Sequence, residues 1–254
     1  MLKQEYAAKS LTIVRGLFRE EVPSLDQECQ RLQREGDLAH DNLRALQWDK
    51  VGGGKQFDRL DPVTDISPVL QRLAHSPRLL ELVEEILGEP ATLFKDKLIF
   101  KTDGVRGYNN HQDYFNWQGS GAPAREVLSV AVAIDASTAG NGAVVYYPGP
   151  WDRLLNEGEE VSDIYNPNRG VVDPKHLEGI EPFMPELEPG DVILFSSLIP
   201  HESGPNHSGN TRRILYLTYA PSRLGDLRGK YYASHAAILQ QDRIARGEVA
   251  GEIR

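Results

Sequence analysis

The chain has 254 residues, 40% hydrophobic and 26% charged, so it can bury an ordinary core and is not a disordered polypeptide. Its 28 Lys and Arg are outnumbered by 37 Asp and Glu, and the formal net charge of −9 argues against a broad surface for nucleic-acid phosphates. One cysteine, Cys29, excludes an internal disulfide and a cysteine-rich zinc module. No stretch reaches the roughly 20 apolar residues of a membrane span, and no long apolar block of a secretion signal follows the first basic residue. These features predict a cytoplasmic protein, one domain over residues 1–254, with neither nucleic acid nor membrane as partner.

Ser24 and Gln27 have the spacing of a capping box and predict a helix that Gly36 ends. Val51-Gly52-Gly53-Gly54-Lys55 predicts a surface loop rather than a phosphate cradle, because no apolar strand precedes it. Ser67-Pro68 and Ser76-Pro77 each predict a helix start, with serine as cap and proline in the first turn. Leu79, Leu80, Val83, Ile86 and Leu87 keep helical spacing as far as Gly88.

From residue 91 the period becomes that of strands. Lys95, Lys97, Ile99 and Lys101 fall on one face of a predicted strand, and Phe94, Asp96, Leu98 and Phe100 on the other. Further strands are predicted over Glu126–Asp135, Ala143–Tyr147, Asp191–Leu198 and Arg212–Tyr219, with a turn at Pro189-Gly190. Between them, Trp151–Glu186 is a long insertion of the kind used as a functional lid. The C-terminal stretch with Tyr231, Tyr232, Ala236, Ile238 and Leu239 has helical spacing, suited to covering the barrel or pairing with a second subunit. The pattern predicts an α+β, mainly β fold: a β-sandwich or jelly roll buttressed by N-terminal helices.

The chemistry centres on His111-Gln112-Asp113. In extended backbone, residues two apart point the same way, so His111 and Asp113 can meet on one ion. His201, placed at a strand end after Val192-Ile193-Leu194-Phe195 and Ile199-Pro200, is the best third ligand. Two imidazoles and one carboxylate on one face leave open octahedral positions, the pattern of non-haem Fe(II) oxygenases. After His201 come Ser203, Gly204, Asn206 and Arg212, and an arginine supplies the fork that a dicarboxylate co-substrate needs. Arg212 shares a face with Ile214, Tyr216 and Thr218, so it rather than Arg213 should point inward.

The ordered run of His111-Gln112-Asp113-Tyr114, Asn141-Gly142, Pro148-Gly149, Pro189-Gly190-Asp191 and His201-x-Ser203-Gly204-x-Asn206 with Arg212 resembles the phytanoyl-CoA dioxygenase superfamily over residues 90 to 220. The resemblance implies a double-stranded β-helix core and an oxygenase using Fe(II), 2-oxoglutarate and dioxygen. By it His111, Asp113 and His201 match the metal ligands, Arg212 the residue that pairs with the far carboxylate of 2-oxoglutarate, and Ser203 a hydroxyl that assists. Some members add a lysine from an early core strand, and Lys97 is chosen here among Lys95, Lys97 and Lys101. Where the family often has Pro-Gly-Ser-His, this chain has Pro148-Gly149-Pro150-Trp151, a departure that leaves the metal ligands intact. Related halogenases lose the carboxylate, so a retained Asp113 implies hydroxylation or desaturation.

Asn110, Tyr108, Tyr114 and Trp117 surround the motif and are the candidate substrate contacts; Tyr146, Tyr147 and Trp151 follow later, and Tyr146 and Tyr147 are more suited to core packing. Aromatic residues at that density can cage a cationic headgroup. The segment from Phe94 to Lys101 followed by His-Gln-Asp-Tyr also resembles the branch that hydroxylates small organophosphonates, for which Arg106, Arg169 or Arg223 would hold the phosphonate. The expected substrate is a small, polar, charged molecule. Two other readings stand beside this one: a silent metal- or ligand-binding module on the same fold, and an oxygenase for a larger natural product. Zinc hydrolysis is weaker, for want of a general base at helical spacing.

Overall fold

The computed structural model describes residues 2–38, 45–156 and 170–234, and ten strands lie among them. In chain order they are β1 (Leu11–Val14), β2 (Ala45–Asp49), β3 (Lys55–Leu60), β4 (Ala91–Lys101), β5 (Tyr108–His111), β6 (Leu128–Ala133), β7 (Val144–Tyr146), β8 (Val192–Ser196), β9 (His201–Ser203) and β10 (Arg212–Pro221). Seven form one antiparallel sheet in the order β1-β8-β6-β10-β4-β3-β2, and three form a smaller one in the order β5-β9-β7.

The two faces of the large sheet carry different cores. Val130 and Val132 of β6, Leu215 and Leu217 of β10, and Leu98 and Phe100 of β4 pack against Leu25, Leu32, Leu70, Leu79 and Val83. Those last residues belong to α2 (Val22–Leu38), α3 (Pro68–Ala74) and α4 (Pro77–Leu87), while α1 (Leu2–Lys9) precedes β1. The alternate residues Ala131, Ala133, Ile193, Phe195 and Ile214 meet Tyr146 of the small sheet. Helices therefore back one face, and the other closes on the small sheet to form the jelly roll.

Ser67 caps α3 by accepting from the Leu70 amide, with Pro68 in the first turn, and Gly88 closes α4 in the left-handed conformation. The first long helix differs from the sequence expectation. α2 starts at Val22, on from the 3-10 turn Arg19–Glu21, and runs past Gly36 to Leu38. Ser24 is thus inside it, its hydroxyl donating back to the Glu21 carbonyl at 2.8 Å instead of capping.

Phe94 also departs from the expected alternation. Thr218 pairs with Lys95 and Tyr219 with Leu93, so Phe94 is the extra residue of a β-bulge. The bulge reverses the phase: Leu93 joins the helix-side core, while Phe94 packs with Trp117 and Ala220. Residues 227–234 are helical, and Tyr231 stacks edge-on against Phe94 at 5.4 Å, so this segment covers the barrel. Ala236, Ile238 and Leu239, and residues 157–169 of the expected lid, lie outside the described residues. No helix among the described residues is long and apolar enough to cross a membrane.

Candidate metal centre

His111 is the last residue of β5, and Gln112 beyond it is extended (φ −107°, ψ 126°), so His111 and Asp113 project to one side and Gln112 to the other. The Gln112 amide is tied down there. Its Nε2 donates to the carbonyls of Leu198 at 2.6 Å and Arg153 at 3.0 Å, and its Oε1 accepts from the Leu155 amide at 2.7 Å. His201 opens β9 directly across from His111. Nε2 of His111 lies 3.7 Å and Nε2 of His201 3.9 Å from Asp113 Oδ1. The three donor atoms all fall within 4.8 Å of one another.

The imidazoles are oriented by their own backbone. Nδ1 of His111 faces the Asn109 carbonyl at 2.7 Å, and Nδ1 of His201 the Ile199 carbonyl at 3.0 Å. A carbonyl only accepts, so each Nδ1 carries the proton and each Nε2 lone pair is left for the shared point. Tyr146 stacks on His201 with centroids 5.8 Å apart. Burial, with His111 nearby, pushes His201 down to about 4, so its ring is neutral at pH 7. Burial pushes the Asp113 carboxyl up, but Lys97 and the two imidazoles outweigh it and hold the group well below the usual carboxylate range. Two imidazole nitrogens and one carboxylate on a single face are the donor set of a facial triad.

A second polar cluster lies along the same barrel wall. Arg212 begins β10 opposite Lys101 at the end of β4. The Arg212 residue is only 3% exposed, yet its Nε and Nη1 have no partner among the described residues. Buried guanidinium N–H groups are normally paired, so two donors of this fork stay open to an anion. Lys101 Nζ donates to Ser203 Oγ at 2.8 Å and to the Gly204 carbonyl. Burial and then Arg212 push Lys101 down to about 7. Asn206 holds the loop beyond β9 in place, its Nδ2 donating to the carbonyls of Lys101 at 2.6 Å and Asn210 at 2.7 Å. Two glycines allow the close approach: a Cβ on Gly107 would lie 1.8 Å from the Ser203 carbonyl oxygen, and one on Gly142 would lie 2.6 Å from that of Gly204.

Residues 11–214 match the phytanoyl-CoA dioxygenase (PhyH) family. The chain belongs to that family. It is 32% identical over 183 residues to methylphosphonate hydroxylase of Gimesia maris, covering 70% of this chain and 64% of that protein. It is 31% identical over 151 residues to 2-aminoethylphosphonate dioxygenase of an uncultured bacterium, covering 59% of this chain and 54% of that protein. The matched segments thus span less than two thirds of either relative's length. The crystal structure of EctD from S. alaskensis with 2-oxoglutarate and 5-hydroxyectoine superposes with a TM-score of 0.72 at 22% identity, over 87% of this chain and 75% of that one, and shows the same fold.

In this PhyH-family chain the other expected site residues scatter. Lys97 does not stand with Arg212 and Ser203; register puts Lys101 there, and Lys97 opposite Tyr216, its ammonium 5.1 Å above that ring. Alternation alone could not separate the two, because they share a face. Trp117 is buried and lines a cavity with Asp113 and Lys97. Tyr108 donates to Asp58 Oδ2 at 2.6 Å, and Tyr114 to the Ala122 carbonyl at 2.7 Å. Asn110 is buried on β5 beside the motif.

The arginines singled out for a phosphonate are elsewhere. Arg223 is engaged on the surface by Glu89 and Glu126, and Arg106 is exposed. Arg169 lies outside the described residues. The sequence assigned no role to Gln112 or Ser129, and Lys101 was an alternative to the chosen Lys97. Gln112 and Lys101 stood inside motifs already quoted, whereas Ser129 gave one signal, a lone hydroxyl in the apolar run from Val127 to Ile134.

Proposed function

We propose that the chain is an Fe(II)- and 2-oxoglutarate-dependent dioxygenase that hydroxylates a C–H bond of a small organophosphonate. The observation that carries the reading is the placement of two oriented imidazoles and an ionised carboxylate within 4.8 Å of one another, on the barrel that also buries Arg212 with its Nε and Nη1 unpartnered among the described residues. His111, Asp113 and His201 would hold the iron, and Arg212 with Lys101 and Ser203 would take the far carboxylate of 2-oxoglutarate. Bound iron supplies the redox chemistry by which dioxygen oxidises 2-oxoglutarate to succinate and carbon dioxide and puts one oxygen atom into the substrate.

The protein's own contribution is placement. Gln112 fixes the His111 and Asp113 projections, the Nδ1 contacts fix both tautomers, and Asn206 fixes Lys101 against Ser203. Asp113 would fill the coordination position that a halide needs, so hydroxylation is favoured over halogenation. Trp117 and Tyr216 line the cavity onto which Asp113 opens. The substrate class rests on the two phosphonate-oxidising relatives and on a cation beside the metal donors. We place the reaction in the cytoplasm, where the lone thiol of buried Cys29 stays reduced.

The test is incubation of protein with Fe(II), 2-oxoglutarate and air, with and without methylphosphonate or 2-aminoethylphosphonate. Succinate should rise with substrate, one equivalent per product heavier by one oxygen. Absence of any substrate-stimulated succinate across both compounds would overturn the substrate class.

A further inference from the structure

On the barrel-inner face of the large sheet, β4, β10 and β6 lie side by side. Lys97 pairs with Tyr216 and Tyr216 with Ala131; one step along, Lys95 pairs with Thr218 and Thr218 with Ser129. Lys95, Lys97, Ser129, Tyr216 and Thr218 line one cavity, whose other walls include Asp113 and Trp117. Its space amounts to about 210 Å³ only with the open mouth included, so an occupant sits partly in that mouth.

Two polar groups in this cavity are not accounted for by the fold. Ser129 is only 2% exposed, and its Oγ has no hydrogen-bond partner among the described residues. A hydroxyl buried without a partner is destabilising, and an apolar residue would serve β6 better. The other is Lys97. Neighbouring Lys95 is neutralised by a buried salt bridge to Asp61, and Lys101 is bonded to Ser203 and Gly204. The Lys97 ammonium makes no hydrogen bond or salt bridge among the described residues and lies over the Tyr216 ring. Asp113 is the nearby counter-charge, and the proposed metal would claim it.

Resting on the hydroxylase reading above, we infer that Lys97, Ser129 and Thr218 form the seat for the substrate's anionic headgroup. An ammonium and two hydroxyls offer donors to the three oxygens of a phosphonate, whereas a carboxylate has only two. With the headgroup so anchored, the attached carbon faces Asp113 and the metal position. The same lysine that sequence reasoning assigned to the co-substrate therefore acts on the substrate.

Calorimetry under anaerobic conditions on protein loaded with Fe(II) and 2-oxoglutarate tests this, with methylphosphonate as the probe. Lys97→Met should weaken methylphosphonate binding at least 30-fold and Ser129→Ala about 3- to 10-fold, each leaving 2-oxoglutarate affinity within about two-fold of the parent. Lys97→Arg should recover part of the loss. The 2-oxoglutarate titration doubles as the check that each variant is folded, and Ser129→Ala, which removes one atom from the core, keeps the test open should Lys97→Met fail to fold. Parent protein that does not bind methylphosphonate, variants that bind it as tightly as the parent, or a loss of 2-oxoglutarate affinity in its place would each overturn the seat. Lys97-dependent binding without hydroxylated product would leave the seat standing and overturn the hydroxylase reading. Turnover of a neutral substrate indifferent to Lys97 would do the reverse.

Discussion

Lys101 and Arg212 are paired residues on adjacent strands, both buried, so two cations share one stretch of the barrel's inner face. Lys101 is satisfied by oxygens of Ser203 and Gly204, whereas two nitrogens of Arg212 are not satisfied by the protein. Like charges held this closely are unfavourable unless an anion joins them. Replacing Arg212 with Met removes the fork, and charge-assisted hydrogen bonds of this kind are worth about 1.5–3 kcal/mol. The expected result is a loss of roughly 10- to 100-fold in 2-oxoglutarate affinity, with Fe(II) stoichiometry unchanged, measured by anaerobic calorimetry. Arg212→Lys should recover little, since a point charge cannot reproduce a planar fork.

The same pair makes co-substrate binding depend on pH. Lys101 in the free protein is pushed down to about 7, first by burial and then by Arg212. A bound dicarboxylate favours the charged ammonium and raises that value. Binding above pH 7 must then take up a proton, so affinity is level below about 7 and falls as pH rises, by up to ten-fold per unit until the raised value is passed. Titrations from pH 6 to 9 in two buffers of different ionisation heat should show that slope and the proton uptake, and Lys101→Met should flatten both.

Most of the donor set was legible because its signals are local. His111 and Asp113 need only two residues of extended backbone, and the inward turn of Arg212 follows from its alternation with Arg213, which faces Asp135 and Asp26. The long strands were legible for the same reason. What was hidden depends on pairing. Lys97 and Lys101 are equivalent until the register of β4 against β10 is known, and the Phe94 bulge exists only because Thr218 and Tyr219 skip a partner. The short strands β1, β5 and β9 have too few residues for a period and are held by neighbours, not by propensity. Ser24 resembled a cap because its spacing fits, but the 3-10 turn before it had already begun the helix.

The Asn141-Gly142 step acquires a physical meaning from the same cluster. Gly142 has φ of 72°, and a Cβ there would stand 2.6 Å from the Gly204 carbonyl oxygen and 2.8 Å from Lys101 Nζ. Gly142→Ala thus combines left-handed strain with a clash against Lys101 and the Gly204 carbonyl that holds it. The expected outcome is a loss of about 1–3 kcal/mol of stability, read by denaturant unfolding, together with weaker 2-oxoglutarate binding. Gly140→Ala is the control: nothing lies within 4 Å of its added Cβ and its φ is not in the left-handed range, so both readouts should stay near the parent's.

Gln112 tests whether the metal donors are held by their neighbours or by the backbone alone. It sits between two of them yet points away, using both ends of its amide to join β5 to Arg153, Leu155 and Leu198. Gln112→Leu fills similar space but strands two carbonyls and one amide, and supporting contacts around a metal site are commonly worth 10- to 100-fold in affinity. The variant should therefore need about 10- to 100-fold more Fe(II) for half-maximal succinate formation while Arg212 still binds 2-oxoglutarate. Asp113→Ala, by contrast, removes a donor outright and should lose iron on gel filtration at equimolar metal. A chelator should abolish turnover of the parent, and added Fe(II) should restore it. If Gln112→Leu matched the parent in its Fe(II) requirement, the extended backbone of residues 111–113 would be sufficient by itself to aim both donors.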